Sequence, residues 1–81
     1  MYGKNNIMRI NIEGQDYIIS QRNAPGKKPV LFMLRLTGKS RQYVSSLFPT
    51  DRLNVYRFDE NGIRYCLDLN NHTIKPIIGA I

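Results

Sequence analysis

The stretch Val55-Tyr56-Arg57-Phe58-Asp59-Glu60-Asn61-Gly62-Ile63-Arg64-Tyr65-Cys66-Leu67-Asp68-Leu69 decides how this chain is read. Asn-Gly between two alternating segments is the strongest short hairpin signal, because a type I′ turn needs φ > 0 at both central residues. A two-residue loop sets Asp59 opposite Arg64, Phe58 opposite Tyr65, Arg57 opposite Cys66 and Tyr56 opposite Leu67. One face then carries Tyr56, Phe58, Ile63, Tyr65, Leu67 and Leu69, and the other Val55, Arg57, Asp59, Arg64, Cys66 and Asp68. A four-residue loop would keep these faces but place Arg57 opposite Arg64. Opposite charges across a ladder contribute up to ~1 kcal/mol and like charges cost a similar amount, so the shorter loop is expected. A three-residue loop would put Phe58 opposite Arg64 and mix the faces.

Working toward the N-terminus, Met8, Ile10 and Ile12 alternate with Arg9, Asn11 and Glu13, and Gly14 permits a tight type II′ turn. Tyr17 and Ile19 are then expected beside Ile12 and Ile10. This register sets Glu13 against Asp16, a small cost at an exposed tip. The segment Asn23-Ala24-Pro25-Gly26-Lys27-Lys28-Pro29 reads as a loop, with Pro-Gly suited to the centre of a type II turn. From Val30 to Thr37 the run is too short and too uniformly apolar for a surface helix, and a strand buried on both faces is expected.

Ser40 to Phe48 admits two readings. As a helix, Ser40 caps it, Tyr43, Val44, Leu47 and Phe48 form one stripe, and Pro49 ends it. As a strand, Thr37-Gly38-Lys39-Ser40 is a tight turn and residues 41–48 fold back along the Val30 strand. The paired serines and the low helix propensity of Tyr and Val favour the strand. Thr73 to Ile78 is expected as a last edge strand, where Pro76 is tolerated. The sum is a mainly β chain: a small antiparallel meander or barrel of five to seven short strands, with a short helix at about 40–48 as the alternative.

At 81 residues, 42% hydrophobic, the chain reads as a single small β-rich domain over 1–81. A chain this short buries only roughly 60–65% of its unfolded surface, so its large apolar side chains are needed inside. The single cysteine, Cys66, excludes an intramolecular disulfide and fits a reducing compartment. No signal-peptide pattern occupies residues 1–9, and the longest apolar run falls far short of the ~20 residues of a spanning helix. A cytoplasmic protein with no membrane partner is expected.

Charge is distributed unevenly. Between Tyr17 and Thr50 there is no acidic residue, and Arg22, Lys27, Lys28, Arg35, Lys39 and Arg41 there account for the whole net charge of +6. Clustered positive charge attracts polyanions through a field that mixed charge would cancel. Lys27 and Lys28 fall at a loop, Lys39 and Arg41 at a turn about 25–30 Å away along an extended strand. Arg35 shares a face with Leu31, Met33 and Thr37, and joins the two clusters only if that face is exposed. Tyr2, Tyr17 and Tyr43 could supply base stacking.

Catalytic constellations are sparse, and no enzyme activity and no cofactor are expected. His72, in Asn70-Asn71-His72-Thr73, is ordinarily a solvated loop residue; as an acid or base of a small ribonuclease it would need Arg64 or Lys75 to steady phosphate. The carboxylate pairs Glu13 with Asp16 and Asp59 with Glu60 fall at hairpin tips, where solvated charge is the ordinary role. One Cys and one His cannot form a structural zinc site. Gly38-Lys39-Ser40 matches the end of a P-loop, but the upstream glycine position is Met33. Cys66, near Arg57 and Arg64, could be a reactive thiol, though a space-filling role is the commoner one.

The leading expectation is therefore a non-enzymatic basic β-module that binds DNA or RNA through the phosphate backbone, using Arg22, Lys27, Lys28, Arg35, Lys39, Arg41 and Tyr43. The alternative is a protein-interaction module (inhibitor, adaptor or accessory subunit) acting on an acidic partner surface or by strand pairing. A homodimer through an edge strand or the tail Ile77-Ile78-Gly79-Ala80-Ile81 belongs to that alternative.

Overall fold

In the computed structural model, which describes residues 3–23 and 25–77 with side chains from residue 8 onward, seven antiparallel strands follow one another. They are β1 (Gly3–Ile12), β2 (Gln15–Asn23), β3 (Val30–Thr37), β4 (Ser40–Pro49), β5 (Val55–Glu60), β6 (Ile63–Asp68) and β7 (Thr73–Pro76). Spatial order equals chain order, and β1 and β7 are the two edges of a curled half-barrel. The described residues contain no helix, so 40–48 is the strand rather than the helical alternative.

Curvature has a local cause. In the β3–β4 ladder Met33 pairs with Ser45 but Leu34 with Tyr43, leaving Val44 as an extra residue. Such a bulge bends its strand and increases the twist, and here it brings Val44 against the core. A second irregularity lies in β1 between Asn6 and Met8.

The β5–β6 hairpin has the expected register, from Tyr56 opposite Leu67 to Asp59 opposite Arg64. Asn61 and Gly62 both have positive φ, 54° and 78°, as its turn requires. The first hairpin corrects its expected register. Ile10, not Ile12, pairs with Tyr17, and the loop residues are Glu13 and Gly14, with φ of 52° and 85°. The physical reason is electrostatic. This register moves Asp16 away from Glu13 and opposite Asn11, which donates to it at 2.7 Å while Arg9 donates at 3.0 Å.

Alternation gives the sheet an inner and an outer face. Ile10, Ile12, Tyr17, Ile19, Met33, Leu47, Phe58 and Leu67 form the buried inner core. Phe58 stacks on its cross-strand partner Tyr65 at 5.2 Å between centroids. Burial of β3 on both faces holds only at its centre, where Phe32 and Met33 are both enclosed, while Val30 is exposed.

The sheet is least continuous between β4 and β5, which pair only at Phe48–Arg57 and Pro49–Tyr56. Where that ladder stops, Arg35 of β3 reaches Glu60 of β5 on the inner face. Its two guanidinium nitrogens donate to the two carboxylate oxygens at 3.0 and 2.9 Å. A bidentate pair fixes orientation as well as distance, so it braces the halves of the sheet across the seam.

Candidate nucleic-acid interface

The six cations of the acid-free stretch are sorted by the fold into three places. Arg35 lies on the inner face, with its side chain 24% exposed, and its guanidinium is 5.7 Å from the centre of the Tyr17 ring. The hydrogen bonds to Glu60 raise its pKa above the ordinary arginine value, against the opposing effect of desolvation. The exposure that would let Arg35 join the basic clusters is missing from this face: Met33 beside it is 0% exposed. Tyr17 is buried under Arg35 and has no free ring face for a base, and Tyr2 lies outside the described residues.

Arg22, Lys27 and Lys28 gather at one end of the sheet. Arg22 is on the outer face of β2, its guanidinium 5.1 Å from the Phe32 ring centre, and the two lysines are exposed in the adjoining loop. Gly26 there has φ of 73°, as the second central position of a type II turn demands. Lys39 and Arg41 are exposed at the opposite end, in and after the β3–β4 turn. The β3 strand between them spans ~23 Å at ~3.3 Å per residue.

That opposite end also holds the turns Glu13-Gly14 and Asn61-Gly62, and with them four of the six acids. Asp16 pairs with Arg9, Asp59 with Arg64 and Glu60 with Arg35, and Glu13 sits at the tip. Positive and negative charge nearly cancel there. At the loop end Arg22, Lys27, Lys28, Arg52, Arg57 and Lys75 face only Asp51 and Asp68. Asp68 is itself engaged by Asn71 and the backbone N–H groups of Asn70 and Asn71. Most of the protein's excess charge therefore collects at one end.

Strand register extends this cluster across the outer face. Arg22 pairs with Val30, and one residue beyond the Leu31–Leu47 pair comes Phe48. Phe48 pairs with Arg57, Arg57 with Cys66, and Cys66 with Lys75. The row crosses six strands, roughly 24 Å at ~4.8 Å per strand. Among the described residues Arg22, Arg57 and Lys75 have no carboxylate partner. The guanidinium of Arg57 instead lies 5.6 Å from the centre of the Phe48 ring, which is 47% exposed.

Sequence reasoning does not bring Phe48, Arg57 and Lys75 into the candidate interface. Arg57 can be placed on the charged face of its hairpin, but nothing in the sequence specifies which residues of β4 meet β5. Phe48 in an apolar stretch reads by default as core. Tyr43, expected from sequence as a stacking residue, is 55% exposed on the outer face of β4. Its ring leans on Phe32 at 6.1 Å, and its hydroxyl is 3.1 Å from Ser46 Oγ.

Other chemistry has less support in the geometry. His72 is exposed with φ of 54° in the β6–β7 turn. Among the described residues no three His, Cys, Asp or Glu side chains converge on a point that could hold a metal ion. Cys66 is half-buried between Arg57 and Lys75. No helix among the described residues is long and apolar enough to cross a membrane. Known protein families, curated proteins and solved structures contain no match to this chain.

Proposed function

We propose that this protein is a small, non-enzymatic cytoplasmic module that binds nucleic acid mainly through the phosphate backbone. The observation that carries this reading is the sorting of charge. Arg22, Lys27, Lys28, Arg57 and Lys75 lie toward one end of the sheet without carboxylate partners among the described residues, while most acids are paired at the other end. Cations within about a Debye length, ~10 Å at 0.1 M salt, reinforce one another toward a polyanion. Lys39 and Arg41 are a second, weaker contact area, and Arg35 is a structural brace.

The test is affinity against salt. Four contacts to a single strand give a log K against log salt slope of about −2.8, at ~0.7 per phosphate, so affinity falls roughly 50-fold from 50 to 200 mM. Replacing Lys27 and Lys28 by Ala is expected to reduce that slope by about 1.4. Binding indifferent to salt, or none at low salt to DNA or RNA, sinks the proposal.

A second reading has its own support. From Ser40 to Leu47 the outer edge of β4 has no strand partner among the described residues. An open edge of this kind can accept a strand from an acidic partner or from a second copy. Concentration-dependent dimerisation in light scattering would favour it. The tail proposed for the same role lies, from Ile78 onward, outside the described residues.

A further inference from the structure

The outer face of β4 carries, in order, Arg41, Tyr43, Ser46 and Phe48, with the bulge at Val44 between the first pair and the second. It continues across the Phe48–Arg57 pair to Arg57 and lies near Arg22 through Val30. Neither β3 nor β4 contains an acidic residue. Two aromatic rings are thus displayed on one strand, between guanidinium groups, and the carboxylate nearest to Arg57 on that face of β5, Asp59, is paired with Arg64.

From this arrangement we propose that the outer face of β4 is a stacking platform for single-stranded nucleic acid. Bases lie on Phe48 and Tyr43, and phosphates are held by Arg57 and Arg22 at one end and Arg41 at the other. The inference rests on the nucleic-acid reading above and narrows its ligand to unpaired strands.

Three observations favour rings kept for a ligand over rings left out of the core. First, a domain of this size needs its aromatic residues inside, yet Phe48 and Tyr43 are about half exposed while Phe58 and Phe32 are buried. Second, the Tyr43 ring is held in place, by Phe32 on one side and by Ser46 through its hydroxyl. A ring fixed before binding loses little freedom when a base arrives. Third, Phe48 keeps 47% of its surface exposed although the guanidinium of Arg57 lies over it, whereas Tyr17 under Arg35 is 8% exposed. A base on the free part of the Phe48 ring therefore meets a π face with a cation beside it.

Single strands are selected because their base faces are free. In a duplex the faces are stacked on one another, and only phosphates and groove edges remain to be contacted. Tyr43 and Phe48 are separated by ~13–16 Å along the strand. The stacked bases are therefore not consecutive, and the intervening nucleotides bridge between them.

The chain contains no tryptophan, so Phe48→Trp supplies a single reporter whose fluorescence responds to direct base stacking. The probes are an oligothymidylate of about 20 nucleotides, longer than the ~4–16 nucleotides that one small single-strand-binding fold occupies, and a duplex of equal length. Quenching of the indole fluorescence by the oligothymidylate and not by the duplex is expected. Phe48→Ala and Tyr43→Ala should each weaken single-strand binding roughly 5- to 150-fold, as loss of one stacked base does. The salt slope should stay unchanged, because stacking releases no counterions. Equal binding of both probes, with the alanine variants behaving as the parent, overturns the stacking platform while leaving the phosphate-binding reading intact. Failure of both probes to bind at 50 mM salt removes both.

Discussion

Arg35 and Arg57 occupy nearly the same local geometry and do opposite things. Each guanidinium lies over an aromatic ring, at 5.7 Å from Tyr17 and 5.6 Å from Phe48. Arg35 also has a carboxylate, with both side chains of the Arg35–Glu60 pair under a quarter exposed, and its charge is spent within the fold. Arg57 has no such partner among the described residues, and the ring beneath it is open to solvent. The ring is common to both sites. What separates the brace from the proposed binding group is the counter-charge.

The comparison can be broken most forcefully at the inner face itself. Met33→Ala empties a fully enclosed position and is expected to cost about 2–5 kcal/mol, the usual range for such core truncations. Denaturant melts measure it, and in so small a domain a loss near the upper value would leave much of the protein unfolded at room temperature. A cost below about 1 kcal/mol would mean that the inner face is not the core.

The two arginines provide the sharper test. Arg35→Met leaves Glu60 without its partner in a half-buried site, and a loss of about 1–3 kcal/mol is expected. Arg57→Met removes an exposed group with no ion pair, and a change within about 0.5 kcal/mol is expected. Nucleic-acid affinity should move the other way, falling for Arg57→Met in the folded fraction and holding for Arg35→Met. Equal stability losses would erase the distinction drawn between the sites.

The smallest effect concerns acid. The side-chain hydrogen bond from Asn11, and after it that from Arg9, holds the Asp16 carboxyl below its ordinary value of 3.8. A carboxyl depressed in the folded state stabilises the protein above the unfolded pKa, and that stabilisation is lost as pH falls through the folded one. Asp16→Asn should therefore lower Tm slightly at neutral pH and flatten the profile in acid, with variant and parent converging as the carboxyl of the parent becomes protonated. A profile parallel to the parent's would remove Asp16 from the acid response.

Local signals are legible in the sequence wherever chemistry at neighbouring positions decides the outcome. Asn61-Gly62 sets its hairpin to the residue, because only one register satisfies both the turn and the Asp59–Arg64 pair. At Gly14 the same logic slips. A glycine there serves either central position of a two-residue turn, and the cost of Glu13 beside Asp16 weighs more than its exposure suggests against a loop that separates them. The site is legible only in part. Arg22, Lys27, Lys28, Arg41 and Tyr43 are exposed, as their neighbours in sequence suggest. Phe48, Arg57 and Lys75 join them only through ladders between β4, β5, β6 and β7, and such pairings depend on the curl of the whole sheet. The side to which Arg35 turns follows from the same alternation, but its partner Glu60 lies 25 residues away, beyond any local signal.

The short β4–β5 seam has a consequence for how the chain folds. Every strand pairs only with its neighbours in sequence, so each hairpin closes a short loop, and local closure of this kind is fast. The seam gains just two ladder pairs, Phe48–Arg57 and Pro49–Tyr56, and is the natural place for the halves to dock last and to part first. Amide exchange should then divide into two cooperative blocks on either side of residues 50–54. The Arg35–Glu60 clasp spans that seam from the inner side, so Arg35→Met should speed amide exchange where the blocks meet while leaving the outer-face groups Phe48 and Arg57 chemically unchanged.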